Sequence, residues 1–265
     1  MELEINVVDA FTDAVFGGNP AAVIITDSWL ADDLMQSIAA ENNLSETAFL
    51  VPGEASGYAI RWFSPITEIP FCGHATLASA FVLFNKKPEV KSLNFSAKAV
   101  GDLAVTKTGS GQIQMDFPNT KPEKVEAIPD SLLAGLSITP HEVYRNGQAY
   151  FVVYRSESDV KSVLRDNESL VQLKPHDVVV TCQSESRDYD FVSRYFWPAN
   201  GGDEDPVTGS IHTGLAPFWA ERLGKNELVA YQASQRGGVL YCRVNGDRVL
   251  ISGTAVQYLK GQITV

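Results

Sequence analysis

Glu46, His74, Asp205 and Cys72 are the side chains whose types and neighbours suit acid–base chemistry on a small molecule. Glu46 lies in Asn43-Leu44-Ser45-Glu46-Thr47, after an amphipathic stretch and before the apolar run Ala48-Phe49-Leu50-Val51. A carboxylate at such a junction is commonly just a solvated charge. Turned into a cleft and partly desolvated, it gains a pKa useful for moving a proton. His74 lies in Cys72-Gly73-His74-Ala75-Thr76, and Asp205 closes Asp203-Glu204-Asp205 ahead of Pro206-Val207-Thr208-Gly209-Ser210. Those three carboxylates form a solvated acidic loop, or one faces a cleft with its pKa raised by like charges. Asp205, nearest the following helix, is then the candidate.

Two segments position these groups. Residues 72–84 and 208–220 carry no Asp, Glu, Lys or Arg. A helix that is apolar on all sides is one that protein surrounds on all sides. Its start exposes about four unpaired N–H groups and roughly half a positive charge, which an anion satisfies. Gly73, Ala75 and Thr76 in one segment, and Gly209 and Ser210 in the other, are small enough to admit a ligand to the backbone. The plainer alternative is that Thr76, Ser210 or Asp205 caps its own helix. Pro217 should kink or break the second helix.

The segments belong to an internal repeat. Arg61-Trp62-Phe63-Ser64-Pro65 precedes the first and Arg194-Tyr195-Phe196-Trp197-Pro198 the second. Strand-like runs dominate elsewhere: 47–51, 57–63, 92–97, 101–107, 111–117, 141–154, 177–182, 189–197, 228–233, 238–244 and 248–253, with a helix from possible caps at Asp27 and Ser28 to about Glu41. The expectation is an α+β fold of two similar halves, each a curled sheet around its own helix, with a carboxylate or phosphate site shared between the two helix starts.

The totals exclude several functions. The chain has 265 residues, 45% hydrophobic and 20% charged, and a net charge of -11, which opposes binding to nucleic acid or anionic membranes. No apolar stretch approaches the ~20 residues of a membrane span, and no secretory leader is evident. Three cysteines without paired spacing suit a reducing, cytoplasmic setting. No cluster has metal-ligand spacing, and the glycine-rich pieces lack dinucleotide or Walker spacing, so neither a metal nor another cofactor is expected.

Asp9-Ala10-Phe11-Thr12, Gly18-Asn19-Pro20-Ala21, the Glu46 motif, Cys72-Gly73-His74-Ala75-Thr76, Asp205-Pro206-Val207-Thr208-Gly209-Ser210 and Ile251-Ser252-Gly253-Thr254-Ala255 together resemble the PhzF family of phenazine biosynthesis. The resemblance implies a diaminopimelate-epimerase-like fold: two pseudo-symmetric halves, each a highly curved mixed sheet around a central buried helix. The halves would be residues 1–117, completed by a strand at 254–265, and residues 118–253. It implies a cofactor-independent isomerase, commonly a homodimer, that moves a proton on a small anionic substrate. Glu46 would be catalytic, with His74, Asp205 and Ser210 supporting it and Gly73 supplying a backbone donor. Two alternatives stay open: a non-catalytic small-molecule-binding protein of the same fold, and an amino-acid racemase. A symmetric two-thiol racemase would need a second cysteine where the repeat places Thr208.

Overall fold

The computed structural model describes residues 1–53 and 57–265, in two compact units: Met1–Asp116 with Ser252–Val265, and Phe117–Ile251. The chain runs β1 (Glu2–Ala10), β2 (Asn19–Ile25), α1 (Asp32–Asn42), β3 (Glu46–Pro52), β4 (Tyr58–Phe63), β5 (Glu68–Ile69), α2 (Gly73–Lys86), β6 (Ser92–Ala97), β7 (Gly101–Lys107) and β8 (Ile113–Pro118). It continues through β9 (Glu123–Lys124), α3 (Asp130–Ala134), β10 (Glu142–Arg145), β11 (Ala149–Val153), α4 (Glu157–Ser162), α5 (Asn167–Leu170), β12 (Asp177–Gln183), β13 (Phe191–Phe196) and β14 (Glu204–Asp205). It closes with α6 (His212–Leu223), β15 (Glu227–Gln232), β16 (Gly238–Asn245), β17 (Arg248–Gly253) and β18 (Ala255–Thr264). Among the described residues, no helix is long and apolar enough to cross a membrane.

The sheets are mixed, as an α+β fold requires. In the first unit β18 and β1 are antiparallel, as are β1 and β2; β2–β3 is parallel, β3–β4 antiparallel, β4–β6 parallel and β6–β7 antiparallel. In the second, β9–β10 and β10–β11 are antiparallel, β11–β12 parallel, β12–β13 antiparallel, β13–β15 parallel and β15–β16 antiparallel. The succession of pairings is the same. A parallel neighbour needs a crossover, and α2 and α6 supply it between β4 and β6 and between β13 and β15.

The arginine repeat acquires a physical reason. Arg61 on β4 binds Glu68 of the short return strand β5 through Nε and Nη2, at 2.7 and 2.6 Å. Arg194 on β13 binds Glu204 of β14 through the same two nitrogens, both at 2.8 Å. Each guanidinium also lies over the phenylalanine two residues on, Phe63 at 5.1 Å and Phe196 at 4.9 Å. A bidentate arginine fixes direction as well as distance, so each hairpin enters its helix at a set angle.

Both helices are buried. In α2 the buried residues include Gly73 through Ala80, and in α6 His212 through Ala220. Pro217 neither breaks nor ends α6. The helical acceptor that a residue 217 amide would have served is the Thr213 carbonyl, and Thr120 N–H donates to it instead at 3.1 Å. Gly214, one turn earlier, is needed for close approach: a Cβ there would stand 2.6 Å from Phe151 Cζ.

Three further expectations change. α1 begins at Asp32, with Ala31 as an N-cap that makes no side-chain bond, so Asp27 and Ser28 do not cap it. The run 141–154 is a hairpin, because Asn146 Oδ1 accepts the Gln148 and Ala149 amides and turns the chain. Short helices α3, α4 and α5 have too few turns to show a hydrophobic period.

Candidate active site

In the first unit, backbone geometry delivers each group. Asn43 ends α1 in the left-handed region (φ 48°), its N–H donating to Ala39 O. The chain thereby turns into β3, whose first residue, Glu46, pairs with Ala21 of β2. Asn19 opens β2, and its Nδ2 is 3.2 Å from His74 Nδ1. With that nitrogen accepting, the ring proton sits on Nε2, which is 2.8 Å from Glu46 Oε2. The oxygen lies off the line of the N–H, so the contact is electrostatic rather than an aligned hydrogen bond. Cys72 Sγ is 3.4 Å from Nδ1 and 3.8 Å from Nε2 of the same ring.

Cys72 is also the extended N-cap of α2, and its own side chain makes no capping bond. Thr76 spends both its donors on the Cys72 carbonyl, the amide at 3.1 Å and the hydroxyl at 2.6 Å. Gly73 and Ala75 precede it at the start of the helix. Glu46, Cys72 and His74 present potential metal-ligand atoms within 4.8 Å of one another. Spacing along the chain gave no sign of this grouping, because Glu46 arrives from another strand.

In the second unit Gly209 and Ser210 precede the regular helix rather than open it. His212 N–H bonds to Gly209 O and Thr213 N–H to Ser210 O, both at 3.1 Å, a tight i→i+3 turn that delays α6 to His212. Asp205 Oδ2 accepts the Thr208 hydroxyl at 2.6 Å. Buried Gln232 ties this segment together, accepting Thr208 N–H and donating to Asp205 O.

Ser210 Oγ accepts from Gln148 Nε2 at 2.9 Å, which leaves its own proton for another acceptor. Gln148 also donates to Tyr195 Oη at 3.1 Å, and Tyr195 donates to Asp177 Oδ2 at 2.6 Å. Asp177 opens β12 in register with Ala149, the place that Glu46 holds opposite Ala21 in β3. Burial raises the Asp177 carboxyl above its ordinary range, and burial beside that carboxylate raises the Tyr195 phenol further. Tyr195→Phe should therefore lower stability by about 1–3 kcal/mol, because it strips a partner from buried Asp177. Urea unfolding of the variant measures this, and an unchanged midpoint would show that the chain of bonds carries no stability.

A profile of phenazine biosynthesis-like proteins (PhzC-PhzF) matches residues 8–261. A Pseudomonas aeruginosa protein named as an uncharacterized isomerase is 48% identical over 263 residues, 99% of each chain. The chain belongs to the phenazine biosynthesis-like family. The crystal structure of a PhzF-family protein from Enterococcus faecalis is 44% identical and superposes with a TM-score of 0.94 over 100% of both chains. At 11% identity, a hydroxyproline epimerase from Agrobacterium vitis shares the fold alone, with a TM-score of 0.60 over 99% of this chain and 91% of that one.

Within this family chain, Glu46, His74, Gly73, Ala75 and Thr76 lie in the first unit, and Asp205, Gly209 and Ser210 in the second. Direct contact joins Glu46 to His74. Sequence reading left out Gln148, Asp177 and Gln232, and took Asn19 and Tyr195 only as parts of motifs. The one available signal was the repeat, which aligns Ser210 with His74 and so asks what orients each.

His212, in the first turn of α6, is wholly buried. Its Nδ1 donates to Thr208 O at 2.8 Å, and burial pushes its pKa down to about 4. The unfolded chain takes a proton near pH 6.5 that the folded one refuses until about 4. Stability is therefore full above 6.5 and falls as pH drops toward 4, by roughly 3 kcal/mol in total. His212→Gln should flatten the pH dependence of unfolding free energy in that window; an unchanged slope would assign the acid loss to other groups.

Proposed function

We propose that this protein is a cofactor-independent isomerase that moves a proton between two atoms of a small carboxylate-bearing substrate, with Glu46 as the base. The observation that carries the reading is the buried Glu46–His74 contact at 2.8 Å, at the start of a helix whose N-cap residue, Cys72, makes no side-chain capping bond. Glu46 has 11% of its side chain exposed, which leaves an approach for a substrate C–H. When Glu46 takes the proton, His74 can donate to the developing negative charge. Glu46 then returns the proton to a second position on the same substrate. The first amides of α2, from Gly73 to Ala75, suit a carboxylate of that substrate, whose charge falls where the helix dipole is positive.

Asp205, Gly209 and Ser210 are proposed as substrate-binding groups on the family resemblance, with Ser210 turned by Gln148 to donate. The two units are read as pseudo-symmetric halves because their strand pairings follow one succession. Homodimer assembly rests on the resemblance alone. A cytoplasmic setting suits three buried, unbridged thiols.

Carboxylate-led chemistry is preferred over two-thiol racemisation on a specific observation. Thr208 occupies the place that would require the second thiol, and burial pushes both Cys182 and Cys242 up to about 12. A panel of amino acids and dihydro-aromatic amino acids incubated in D₂O and followed by proton NMR tests the reading. Deuterium entering a substrate carbon, with positional isomerisation and without stereochemical inversion, is the expected result. Tight binding without exchange would make the protein a binder, and inversion at one carbon would make it a racemase.

A further inference from the structure

The Trp62 side chain is buried, and among the described residues its Nε1–H meets no acceptor. Buried indole N–H groups ordinarily find one. Trp219, the other buried tryptophan, donates to Thr181 Oγ1 at 3.0 Å. Trp62 lies opposite Ala48 in the β3–β4 pair, which makes Glu46, two residues back along β3, its diagonal neighbour on the same face of the sheet. The second unit shows what that diagonal can do. There Tyr195 lies opposite Val179, Asp177 is its diagonal neighbour, and the two side chains bond at 2.6 Å. In the first unit the matching donor and carboxylate stay apart: Glu46 turns to His74, and the indole proton is unshared. Phe71, two residues ahead of Gly73, packs edge-to-face with the indole at a centroid distance of 5.5 Å, so Trp62 stands beside the start of α2.

We propose that the Trp62 indole N–H is a specificity-determining donor to the carboxylate of the substrate, acting with the first amides of α2. A neutral donor suits this place. An ammonium or guanidinium beside Glu46 would pair with it and lower its pKa, whereas an indole holds an anion and keeps its proton without adding charge. Binding gives the buried N–H the acceptor it lacks, so the cost of leaving it unpaired in the free protein returns as affinity. A compound with an amine or a methyl group in place of the carboxylate leaves that donor buried and unpaired, and is rejected for it. The choice of a carboxylate rests on the function proposed above; the unshared donor does not.

Indole ¹⁵N–¹H spectra of the full-length protein, titrated with benzoate as the carboxylate probe, test this without a substrate. The chain has four tryptophans, so the Trp62 signal is assigned by its loss in Trp62→Phe, or by elimination from Trp29→Phe, Trp197→Phe and Trp219→Phe if that variant does not fold. Benzoate should move the Trp62 proton downfield, as a new hydrogen bond does. Trp62→Phe, which keeps an aromatic ring against Phe71, should weaken benzoate binding by about 5–100-fold. On the substrate found by exchange it should raise KM by a similar factor and leave kcat nearly unchanged, a split that a loosened fold would not give. Failure of benzoate to bind, benzoate binding that leaves the Trp62 proton in place, or native affinity in folded Trp62→Phe overturns the proposal. The shift without deuterium exchange in any compound of the panel would instead retire the isomerase reading and keep Trp62 as a carboxylate donor.

Discussion

Glu46→Gln should lower turnover by about 10²–10⁴-fold, the usual contribution of a positioned acid or base. The amide keeps the shape of the side chain and its place at the start of β3, but it cannot hold the transferred proton. The Glu46–His74 contact is not an aligned hydrogen bond, so little ground-state structure depends on the charge. The loss should therefore fall on kcat and on kcat/KM alike, with KM nearly unchanged. Steady-state kinetics on the substrate identified by exchange, with circular dichroism as a control for folding, measures it. A folded Glu46→Gln protein with turnover within a factor of a few of the native one would remove Glu46 from the chemistry. His74 would then be the remaining candidate base in this cluster.

Gly18→Ala should have the largest effect on the fold. Gly18 has φ +59°, and a Cβ there would stand 2.1 Å from the Ala10 carbonyl oxygen and 2.8 Å from Thr12 Cγ2. The first obstacle is backbone and cannot rotate away. Left-handed geometry costs a non-glycine residue about 1–2 kcal/mol, and overpacking adds roughly 1–3. A loss of about 2–5 kcal/mol is a large share of an ordinary domain's ~5–15 kcal/mol. Because Asn19 follows directly, displacement also reaches the His74 ring. Chemical denaturation should show a lower midpoint, and imidazole NMR should show a shifted His74 signal. Native-like stability in Gly18→Ala would mean that the loop carries no such constraint.

These two residues show how differently structure and chemistry could be read from the chain. Gly18 and Asn19 stand in a motif whose order and spacing indicate the family, yet its reason is steric. The loop passes within contact distance of Ala10, and Asp9 Oδ2 accepts the Phe16 N–H that closes it. Gly253, in the last motif, has a similar reason, since a Cβ there would lie 2.4 Å from the Phe11 ring. Composition and period do not show close approaches of this kind, which need three-dimensional contacts.

The buried helices were legible because a helix with one face in water carries charge on that face, and a dozen residues without any leave no such face. The arginine repeat was legible because each arginine stands two residues before the phenylalanine it covers, whereas its carboxylate partner comes seven residues on in one unit and ten in the other. The exact start of α6 was not, since glycine followed by serine opens a 3₁₀ turn and an α-helix equally well. Pro217 misled for a related reason: the acceptor it orphans is satisfied by Thr120, almost a hundred residues earlier. The grouping of Glu46 with Cys72 and His74 depends on β2 lying parallel to β3, a pairing that local spacing cannot express. Asp177 lies in what reads as an ordinary strand. Its likeness to Glu46 emerges only when the two parallel pairings are compared.

The central claim is proton transfer led by the Glu46 carboxylate, and solvent exchange tests it most directly. Native, chelator-treated protein and Glu46→Gln would be incubated in D₂O with the same carbon acid, and deuterium at each substrate carbon would be followed by NMR. The account predicts deuterium entering at the site of reprotonation with native protein and a rate at least ~100-fold lower with Glu46→Gln. Equal exchange in the two proteins would contradict it.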